Sequence, residues 1–463
     1  MIECPNCGGN LKFYVPLQRM YCKFCDSNFD PYDFDSKNKD GIESKDYETT
    51  IFTCPECGGE IESTDNETTG FCPFCGGSTI FYSRLTKEEK PDKVIPFTKT
   101  KDDCKEAYMK AAKKAFFLPK EYKDAKYIDG FRGIYMPYWS YDVTQAGPIE
   151  FKGQKSHRSG DYIIHEHYDI SGRLDCEYDG ISYDASSSFS DDISEKIAPF
   201  DVKKAVPFTA GFLSGFYSDR ADVDKKLYQS DARTFAINQT IKNIKDEKAL
   251  SGYSLEIKPN DVKTGIGRTG RTLFPVWFMS YRKNDRIAYA TVNGQTGKVV
   301  ADFPIDLRKF FIFAGVLALL LCLLFNLVLT LKPATSIAIN GIFSLLSLIL
   351  YLMCASRIKA KENRSDDKGY LSKTGGNLPD DKPAPMPGEY KTKMLPVLTA
   401  VTGMIIAVLL FISKSIHDEY YYVSNLIIAA LVSVTLVSLI KDYNLLITRR
   451  LPQFDKKGGD DRA

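Results

Sequence analysis

The sequence predicts a multidomain protein in which two small cysteine-rich modules and an α+β domain precede a four-helix transmembrane region. Cys-x-x-Cys pairs crowd the N-terminus, the middle of the chain alternates between strand-like and helix-like patterns, and four long stretches after residue 309 carry no charged side chain. The net charge of +2 gives no general reason to expect nucleic acid or an acidic substrate as the partner.

The cysteine pattern near the N-terminus occurs twice with the same spacing. Two Cys-x-x-Cys turns close a tetrahedral site with no open position, and all-thiolate tetrahedral sites favour zinc over its usual competitor, iron. A pair of redox dithiols would not need this matched repetition. The pattern therefore predicts two structural Zn²⁺ ions and no catalytic water. The predicted ligands are Cys4, Cys7, Cys22 and Cys25 in the first site and Cys54, Cys57, Cys72 and Cys75 in the second.

The two modules are predicted to be zinc ribbons at 1–30 and 51–83, joined by a polar linker at 31–50. Because such short segments bury little apolar surface, their folding should depend on the metal, which contributes on the order of 10–16 kcal/mol in comparable sites. The first ribbon interleaves basic and aromatic residues, a pattern that suits single-stranded nucleic acid. The second ribbon is acidic and disfavours phosphate, so protein contact is the preferred interpretation.

Residues 91–305 are predicted to form a cytoplasmic α+β domain with an internal duplication. Two short motifs occur twice, Pro-Phe-Thr at 96–98 and 207–209 and Pro-x-Trp at 137–139 and 275–277. We expect halves at 91–200 and 201–305, each with an antiparallel sheet and a packed helix. Trp139 and Trp277 fall at equivalent positions, which predicts a core role for both.

The charge-free stretches are long enough to cross a bilayer as helices. They lie at 310–331, 334–356, 394–413 and 423–440. Basic residues gather before the first span, in the connection 357–393 and in the tail 441–463, whereas the other two connections hold only Lys332 and Lys414. This bias predicts a multi-pass protein of the cell membrane with both termini in the cytoplasm. The connection 357–393 has few apolar residues and is expected to be disordered.

No catalytic motif is present, and three weaker patterns have ordinary explanations. His165 and His167 share one face of a predicted strand but lack further ligands. Gly265–Gly270 matches G-x-G-x-x-G, yet it resembles a solvated loop before a strand rather than the strand-to-helix turn of a dinucleotide site. The asparagines in the spans, Asn326, Asn340 and Asn425, suit contacts between helices better than an ion pathway.

Taken together, the paired Cys-Pro-x-Cys-Gly-Gly turns, the two Pro-x-Trp motifs, the segment Val292–Val299 and the four spans carry a resemblance. The chain resembles bacterial membrane proteins with zinc ribbons of the transcription factor IIB type. Some genomes encode such proteins beside phage-shock protein A relatives and an SPFH-domain protein. The resemblance implies a scaffold that holds a soluble partner at the cytoplasmic face during envelope stress.

The sequence therefore favours a non-enzymatic adaptor that is anchored in the membrane and recruits a cytoplasmic protein, with the exposed aromatics and the acidic face of the ribbons as the candidate contact surface. One alternative is a membrane-tethered nucleic-acid-binding protein, which would use Lys12, Arg19 and Lys23. The other is a transporter or an enzyme with an unrecognised site in the α+β domain or the spans.

Overall fold

The structure of the protein is a computed structural model that describes residues 2–34, 46–63, 72–77, 82–327, 332–362, 367–369, 372, 390–413 and 418–450. In chain order, the strands of the first ribbon are β1 Leu11–Tyr14, β2 Arg19–Cys22 and β3 Asn28–Phe29. They form a small antiparallel sheet of their own, in the order β1-β2-β3.

The remaining strands of the described residues, thirteen in all, join one large sheet. Its path is β10-β7-β13-β8-β11-β5-β4-β6, and further strands are attached to β8, β13 and β14. Its strands are β4 Asp46–Thr53, β5 Glu60–Ser63, β6 Tyr82–Glu89, β7 Lys93–Val94, β8 Arg132–Ser159, β9 Tyr162–Asp184, β10 Val206–Pro207, β11 Tyr217–Asp219, β12 Ser254–Glu256, β13 Gly265–Lys283, β14 Arg286–Asn293, β15 Val299–Ala301 and β16 Arg449–Arg450.

The second ribbon is part of this sheet rather than a separate module. Strands β4, β5 and β6 pair with one another, and β5 pairs with β11, which runs parallel to β8 in the centre of the sheet. The predicted linker 31–50 begins with a short 3-10 turn at Pro31–Phe34, and its last residues, from Asp46, form the start of β4.

The two predicted halves also share the large sheet instead of forming two sheets. The Pro-x-Trp motifs lie on adjacent antiparallel strands, where Met136 of β8 faces Phe274 of β13. The strands before the two Pro-Phe-Thr motifs pair as well, with Val94 opposite Val206. Equivalent motif positions are thus neighbours in space, while the duplication itself stays a prediction.

Four helices accompany the sheet: α1 Lys101–Lys114, α2 Ala125–Ile128, α3 Asp191–Ile197 and α4 Gln229–Lys245. Helix α1 begins at a capping box in which Thr100 and Asp103 bond each other's backbone amides, and it buries Cys104, Tyr108 and Ala112. The second Pro-Phe-Thr motif differs from the first, since it leads into a short 3-10 turn at Ala210–Leu213 before α4. Trp277 is buried and Trp139 is half-buried, and each indole N–H donates to a backbone carbonyl.

The C-terminal region contains the helices α5 Leu307–Leu327, α6 Pro333–Glu362, α7 Met394–Ser413 and α8 Asp418–Ile447. Among the described residues three helices, α6, α7 and α8, are long and apolar enough to cross a membrane, where four were predicted. The predicted first span, 310–331, corresponds to α5, and its last four residues lie outside the described part of the chain. Helices α6, α7 and α8 pack against one another.

Two of these helices extend beyond their predicted ends because they dock on the large sheet. Arg286 of β14 pairs with Glu362 at 2.6 Å and donates to the carbonyl oxygens of Leu445 and Thr448 at the end of α8. Beyond α8, β16 pairs with β14. The predicted tail 441–463 thus begins as helix and strand. Likewise, the predicted disordered connection 357–393 begins with the last turns of α6 and contains Lys368, which bonds Asp231 and the carboxylate of Asp191.

Candidate metal centres

The first ribbon brings its four cysteines to one point. Cys4 and Cys7 lie in the turn before β1, Cys22 ends β2, and Cys25 lies in the turn before β3. The Sγ atoms of Cys4 and Cys25 are 3.6 Å apart, and those of Cys7 and Cys22 are 3.4 Å apart. Around an ion with metal–sulfur bonds of about 2.3 Å, tetrahedral ligands are separated by roughly 3.8 Å, so this donor set fits one tetrahedral ion.

The second ribbon repeats this geometry with four buried cysteines. The Sγ atoms of Cys54 and Cys75 are 3.8 Å apart, and those of Cys57 and Cys72 are 3.7 Å apart. All ligand atoms within each group lie within 4.8 Å of one another. Both groups could therefore hold one metal ion with no position left for a reacting water.

The same backbone turn shapes each Cys-x-x-Cys pair. In three of the four turns, a glycine with positive φ follows the second cysteine and donates its N–H to the carbonyl of the first: Gly8, Gly58 and Gly76. In the fourth turn Asp26 takes this position, with a φ of 57°, and donates to the Cys22 carbonyl at 3.0 Å. Aspartate tolerates this left-handed conformation better than most residues, which explains why the motif survives without its glycine here.

The first centre lies at the surface of the protein on one side. Cys4 and Cys22 are buried, whereas Cys7 and Cys25 are exposed. Hydrogen bonds from the Ser27 hydroxyl and backbone N–H to the thiolate lower the pKa of Cys25 to about 6, which favours the metal-binding form. Phe24, between Cys22 and Cys25, is 79% exposed.

The opposite side of the first ribbon is anchored in the α+β domain. Phe13 packs on Phe212 with ring centroids 5.1 Å apart, and its N–H donates to the Ser214 carbonyl. The Ser214 hydroxyl donates in turn to the Leu11 carbonyl at 2.6 Å. The side of the ribbon with Leu11 and Phe13 is thus attached to the domain, while the side with Phe24 is exposed to solvent.

The second centre is enclosed by the large sheet. Phe74, which occupies the same position between Cys72 and Cys75 as Phe24 does in the first ribbon, is only 2% exposed. The Tyr289 hydroxyl of β14 donates to the Phe74 carbonyl at 2.5 Å, and Arg282 of β13 pairs with Glu56 at 2.5 Å. These contacts cover the part of the ribbon that would otherwise be its exposed tip.

The acidic residues of the second ribbon that the structure describes have ion-pair or hydrogen-bond partners within the protein. Glu60 pairs with Arg220 at 3.2 Å, and Arg220 also pairs with Glu88 at 3.1 Å. Glu62 is buried and accepts a hydrogen bond from the Tyr47 hydroxyl at 2.7 Å. Burial raises the pKa of Glu62 to about 7. Of the acidic residues predicted as a contact surface, Glu60 and Glu62 are therefore turned inward in the described part of the ribbon, while Glu56 stays partly exposed.

The remaining candidate sites from the sequence do not form centres. Within the described residues, only the two cysteine groups bring three or more potential metal ligands together. His165 and His167 are exposed on β9, and His165 Nδ1 lies 2.7 Å from the Ser156 hydroxyl. The glycine motif predicted as a loop is instead the start of β13, paired with Thr144 and Val143, so no helix N-terminus follows it. Asn340 donates to Asn425 at 2.6 Å, a contact between helices.

Four residues that no short motif in the sequence marks give the two ribbons their different surroundings: Tyr289 and Arg282 contact the second ribbon, and Ser214 and Phe212 contact the first. All four lie more than a hundred residues from the ribbon that they contact. The one available signal was the composition of the tips, since Pro73 precedes Phe74 whereas a charged residue, Lys23, precedes Phe24.

Comparison with known proteins finds a bacterial relative that aligns with two thirds of the chain. No protein-family model matches the chain, and no solved structure matches it. Over 317 residues the chain is 28% identical to "Uncharacterized protein YdjG" of Bacillus subtilis (strain 168), an alignment that covers 66% of this chain and 91% of that protein. The similarity thus extends along nearly the whole relative, whose name states no activity.

Proposed function

We propose that the protein is a non-enzymatic adaptor of the cell membrane that recruits a cytoplasmic protein through its first zinc ribbon. Both cysteine centres carry zinc, which the all-thiolate tetrahedral donor sets favour. Four helices, α5 to α8, cross the membrane. The partner is of the phage-shock or SPFH type that the sequence resemblance implies.

The arrangement of the helix ends supports a cytoplasmic position for the ribbons and both termini. The C-terminal ends of α6 and α8 contact β14 through Arg286, and the N-terminal end of α5 contacts the segment after α1, where Phe117 packs on Phe310. The described basic residues Lys361 and Lys368 of the connection and Arg449–Arg450 thus lie on the side of the large sheet. Segments rich in Lys and Arg stay in the cytoplasm.

The first ribbon is proposed as the contact surface because Phe24 is exposed on it. Large aromatic side chains at a surface are frequent anchors of protein interfaces. Tyr14 and Leu17 add exposed apolar area at the β1–β2 turn, the end of the hairpin away from the cysteines, and Arg19 and Lys23 are exposed basic residues of the same ribbon. We refer to Tyr14, Leu17 and Phe24 as the ribbon-1 surface. It suits a partner with an apolar patch surrounded by acidic residues.

The test is capture of the partner by the intact protein in native membranes, with chemical crosslinking and mass spectrometry. Leu17→Ser combined with Phe24→Ser should abolish capture of a defined soluble protein while the metal content stays at two zinc ions per chain. Leu85→Ser is the matched control, since Leu85 is 72% exposed on β6 and lies outside the ribbon-1 surface. Equal capture by all three proteins would overturn the proposal.

The membrane-tethered nucleic-acid binder remains the second candidate, because Arg19 and Lys23 belong to the same ribbon as the neighbouring rings of Tyr14 and Tyr21, which are tilted by 34° with centroids 5.3 Å apart. It predicts that the captured material is nucleic acid and that binding falls steeply with salt. Replacing Arg19 and Lys23 with Gln would then weaken binding more than the loss of Phe24.

A further inference from the structure

The end of α1 and the turn that follows it lie against the beginning of α5. We call residues 113–118 the Phe116 segment; they comprise the last two residues of α1 and the next four. The Phe117 carbonyl accepts a hydrogen bond from the N–H of Asp306, and the Leu118 carbonyl accepts one from the ammonium group of Lys309. These bonds attach the Phe116 segment to the first turn of α5.

Four phenylalanine rings join the segment to α5. The ring centroids of Phe116 and Phe313 are 5.6 Å apart, and Phe117 lies 5.4 Å from Phe310 and 5.6 Å from Phe313. Despite these contacts, Phe116 is 67% exposed and Phe313 is 46% exposed. The described part of the chain therefore leaves the outer side of this aromatic cluster uncovered.

The cluster lies at the point where α5 becomes free of charge. Lys309 is the last charged residue before the apolar part of α5, and Phe313 follows it by four residues, or about 6 Å along the helix axis. Helix α1 packs against β14, the strand whose Arg286 contacts the ends of α6 and α8. Because α1 and these helix ends meet at the same strand, the Phe116 segment faces the membrane boundary rather than the remote end of the domain.

Basic side chains accompany the exposed ring. Residues 110–120 contain four lysines and no acidic residue, and Lys113 and Lys114 are exposed in the last turn of α1. Unlike Lys105 of the same helix, which pairs with Asp129 at 2.7 Å, neither of these two lysines forms an ion pair within the described residues. Their ammonium groups are therefore available to an external anion.

The acidic residues next to the segment do not cancel this charge. The carboxylate of Asp306 accepts a hydrogen bond from the N–H of Arg308 at 2.9 Å at the start of α5, and Glu121 is adjacent to Lys120. Residues 110–121 and 306–309 together hold six basic and two acidic side chains, a net charge of +4. Basic clusters beside a membrane attract anionic lipids.

We propose that the Phe116 segment docks on the membrane, with the ring of Phe116 in the hydrocarbon beside Phe313 and with Lys113 and Lys114 on the phosphate groups of anionic lipids. Unlike tyrosine and tryptophan, phenylalanine has no polar tip to keep at the headgroup level, so the hydrophobic effect favours burial of its ring among the acyl chains. This inference rests on the proposed crossing of the membrane by α5 and adds to it a lipid preference.

Quenching of tryptophan fluorescence by lipids brominated in the acyl chain, in nanodiscs, measures whether position 116 reaches the hydrocarbon. The full-length Phe116→Trp variant should lose most of the emission that it adds to that of the wild type. Tyr162→Trp is the matched control, since Tyr162 is 78% exposed at the turn that joins β8 to β9, and its added emission should not change. Equal quenching at both positions, or none at position 116, would overturn the proposal.

The same variant tests the lipid preference in nanodiscs with equal amounts of phosphatidylcholine and phosphatidylglycerol. Bromine on the phosphatidylglycerol should quench position 116 about twofold more than bromine on the phosphatidylcholine, because the lysines enrich anionic lipid around them. Lys113→Gln with Lys114→Gln should remove this difference. Lys242→Gln with Lys245→Gln, which changes two exposed lysines in the last turn of α4, should retain it. Equal quenching by the two lipids, or a difference that survives the loss of Lys113 and Lys114, would exclude their role.

Leu320→Trp separates this inference from the proposed crossing of the membrane by α5. Leu320 is 58% exposed in the charge-free part of α5, so this variant reports whether the helix itself is in the bilayer. Quenching at position 320 without quenching at position 116 would leave the crossing intact and exclude docking of the Phe116 segment. No quenching at either position would overturn the crossing, and the inference with it.

Discussion

The two four-cysteine ribbons place an equivalent phenylalanine in opposite environments. Phe24 and Phe74 occupy the same position between the second pair of cysteines, but the first is exposed and the second is buried against the large sheet. The local turns are nearly the same, with equal hydrogen-bond patterns around both centres. What differs is the surrounding structure. Strands β13 and β14 cover the cysteine turns of the second ribbon, whereas the first ribbon contacts the α+β domain through Phe13 and Leu11, on the side away from Phe24. A motif therefore determines the metal geometry, and its environment determines which surface remains available.

The largest expected difference comes from removing the metal ligands. Cys57→Ser with Cys72→Ser should lose the second ion and unfold β4, β5 and β6, since metal binding contributes on the order of 10 kcal/mol in such sites. Limited proteolysis of the full chain should then cut within residues 46–89 and in the neighbouring β11.

The matched pair Cys7→Ser with Cys25→Ser should remove the first ion and leave residues 82–305 resistant to protease. If both pairs of substitutions made the large sheet equally sensitive, the second ribbon would not be the more integrated of the two.

Replacing the two phenylalanines should give the next largest difference, in the free energy of unfolding. Phe74→Ala should lower the free energy of unfolding by about 3–5 kcal/mol, because it leaves a cavity against Tyr289 and the sheet. Phe24→Ala should change it by less than about 0.5 kcal/mol, as is usual for an exposed position. Thermal unfolding of the detergent-solubilised chain measures both, and similar shifts would contradict the difference in burial.

The buried Glu62 next to the second ribbon predicts a pH dependence. Its pKa is raised from 4.5 to about 7, so the folded state retains a proton that the unfolded state loses as the pH rises between these values. The wild-type protein is therefore destabilised progressively over this range and fully above it. Glu62→Gln should be more stable than the wild type at pH 8.5 by on the order of 3 kcal/mol, and by much less at pH 5.

Glu89→Gln is the control for the pH experiment, since Glu89 is exposed on the neighbouring strand β6. The difference between wild type and Glu62→Gln in the midpoint of thermal unfolding should grow with pH, while that of the control stays constant. A constant difference for Glu62→Gln would mean that the carboxyl is already ionised at low pH.

The smallest effect concerns the rate of metal loss. A chelator should remove the first ion at least tenfold faster than the second, since Cys7 and Cys25 are open to solvent while all four ligands of the second centre are buried. A colorimetric zinc assay should show two phases of equal amplitude. Cys7→Ser should eliminate the fast phase, and a single phase in the wild type would show that burial does not control release.

The sequence was sufficient for the features that depend on short spacing. The cysteine pairs are brought together as two sets of four, and α7 has the predicted bounds, because a turn and a charge-free helix are local. The sequence was insufficient where distant segments decide the outcome. Strand β5 pairs with β11, more than a hundred positions away, and no periodicity in residues 51–83 predicts this pairing. The segment Gly265–Gly270 forms the start of β13 because it pairs with β8. Glycine usually weakens a strand, so its sequence alone does not predict this pairing.

The contact of Arg286 with α6 and α8 also has a consequence for the order of synthesis. Strand β14 leaves the ribosome before any of the helices α5 to α8, but its neighbour β16 follows all of them. Glu362 becomes available with α6, but until the last helix is in place Arg286 lacks the carbonyls of Leu445 and Thr448. The edge of the large sheet is therefore completed last, and a nascent chain that fails to insert leaves that edge open to proteases.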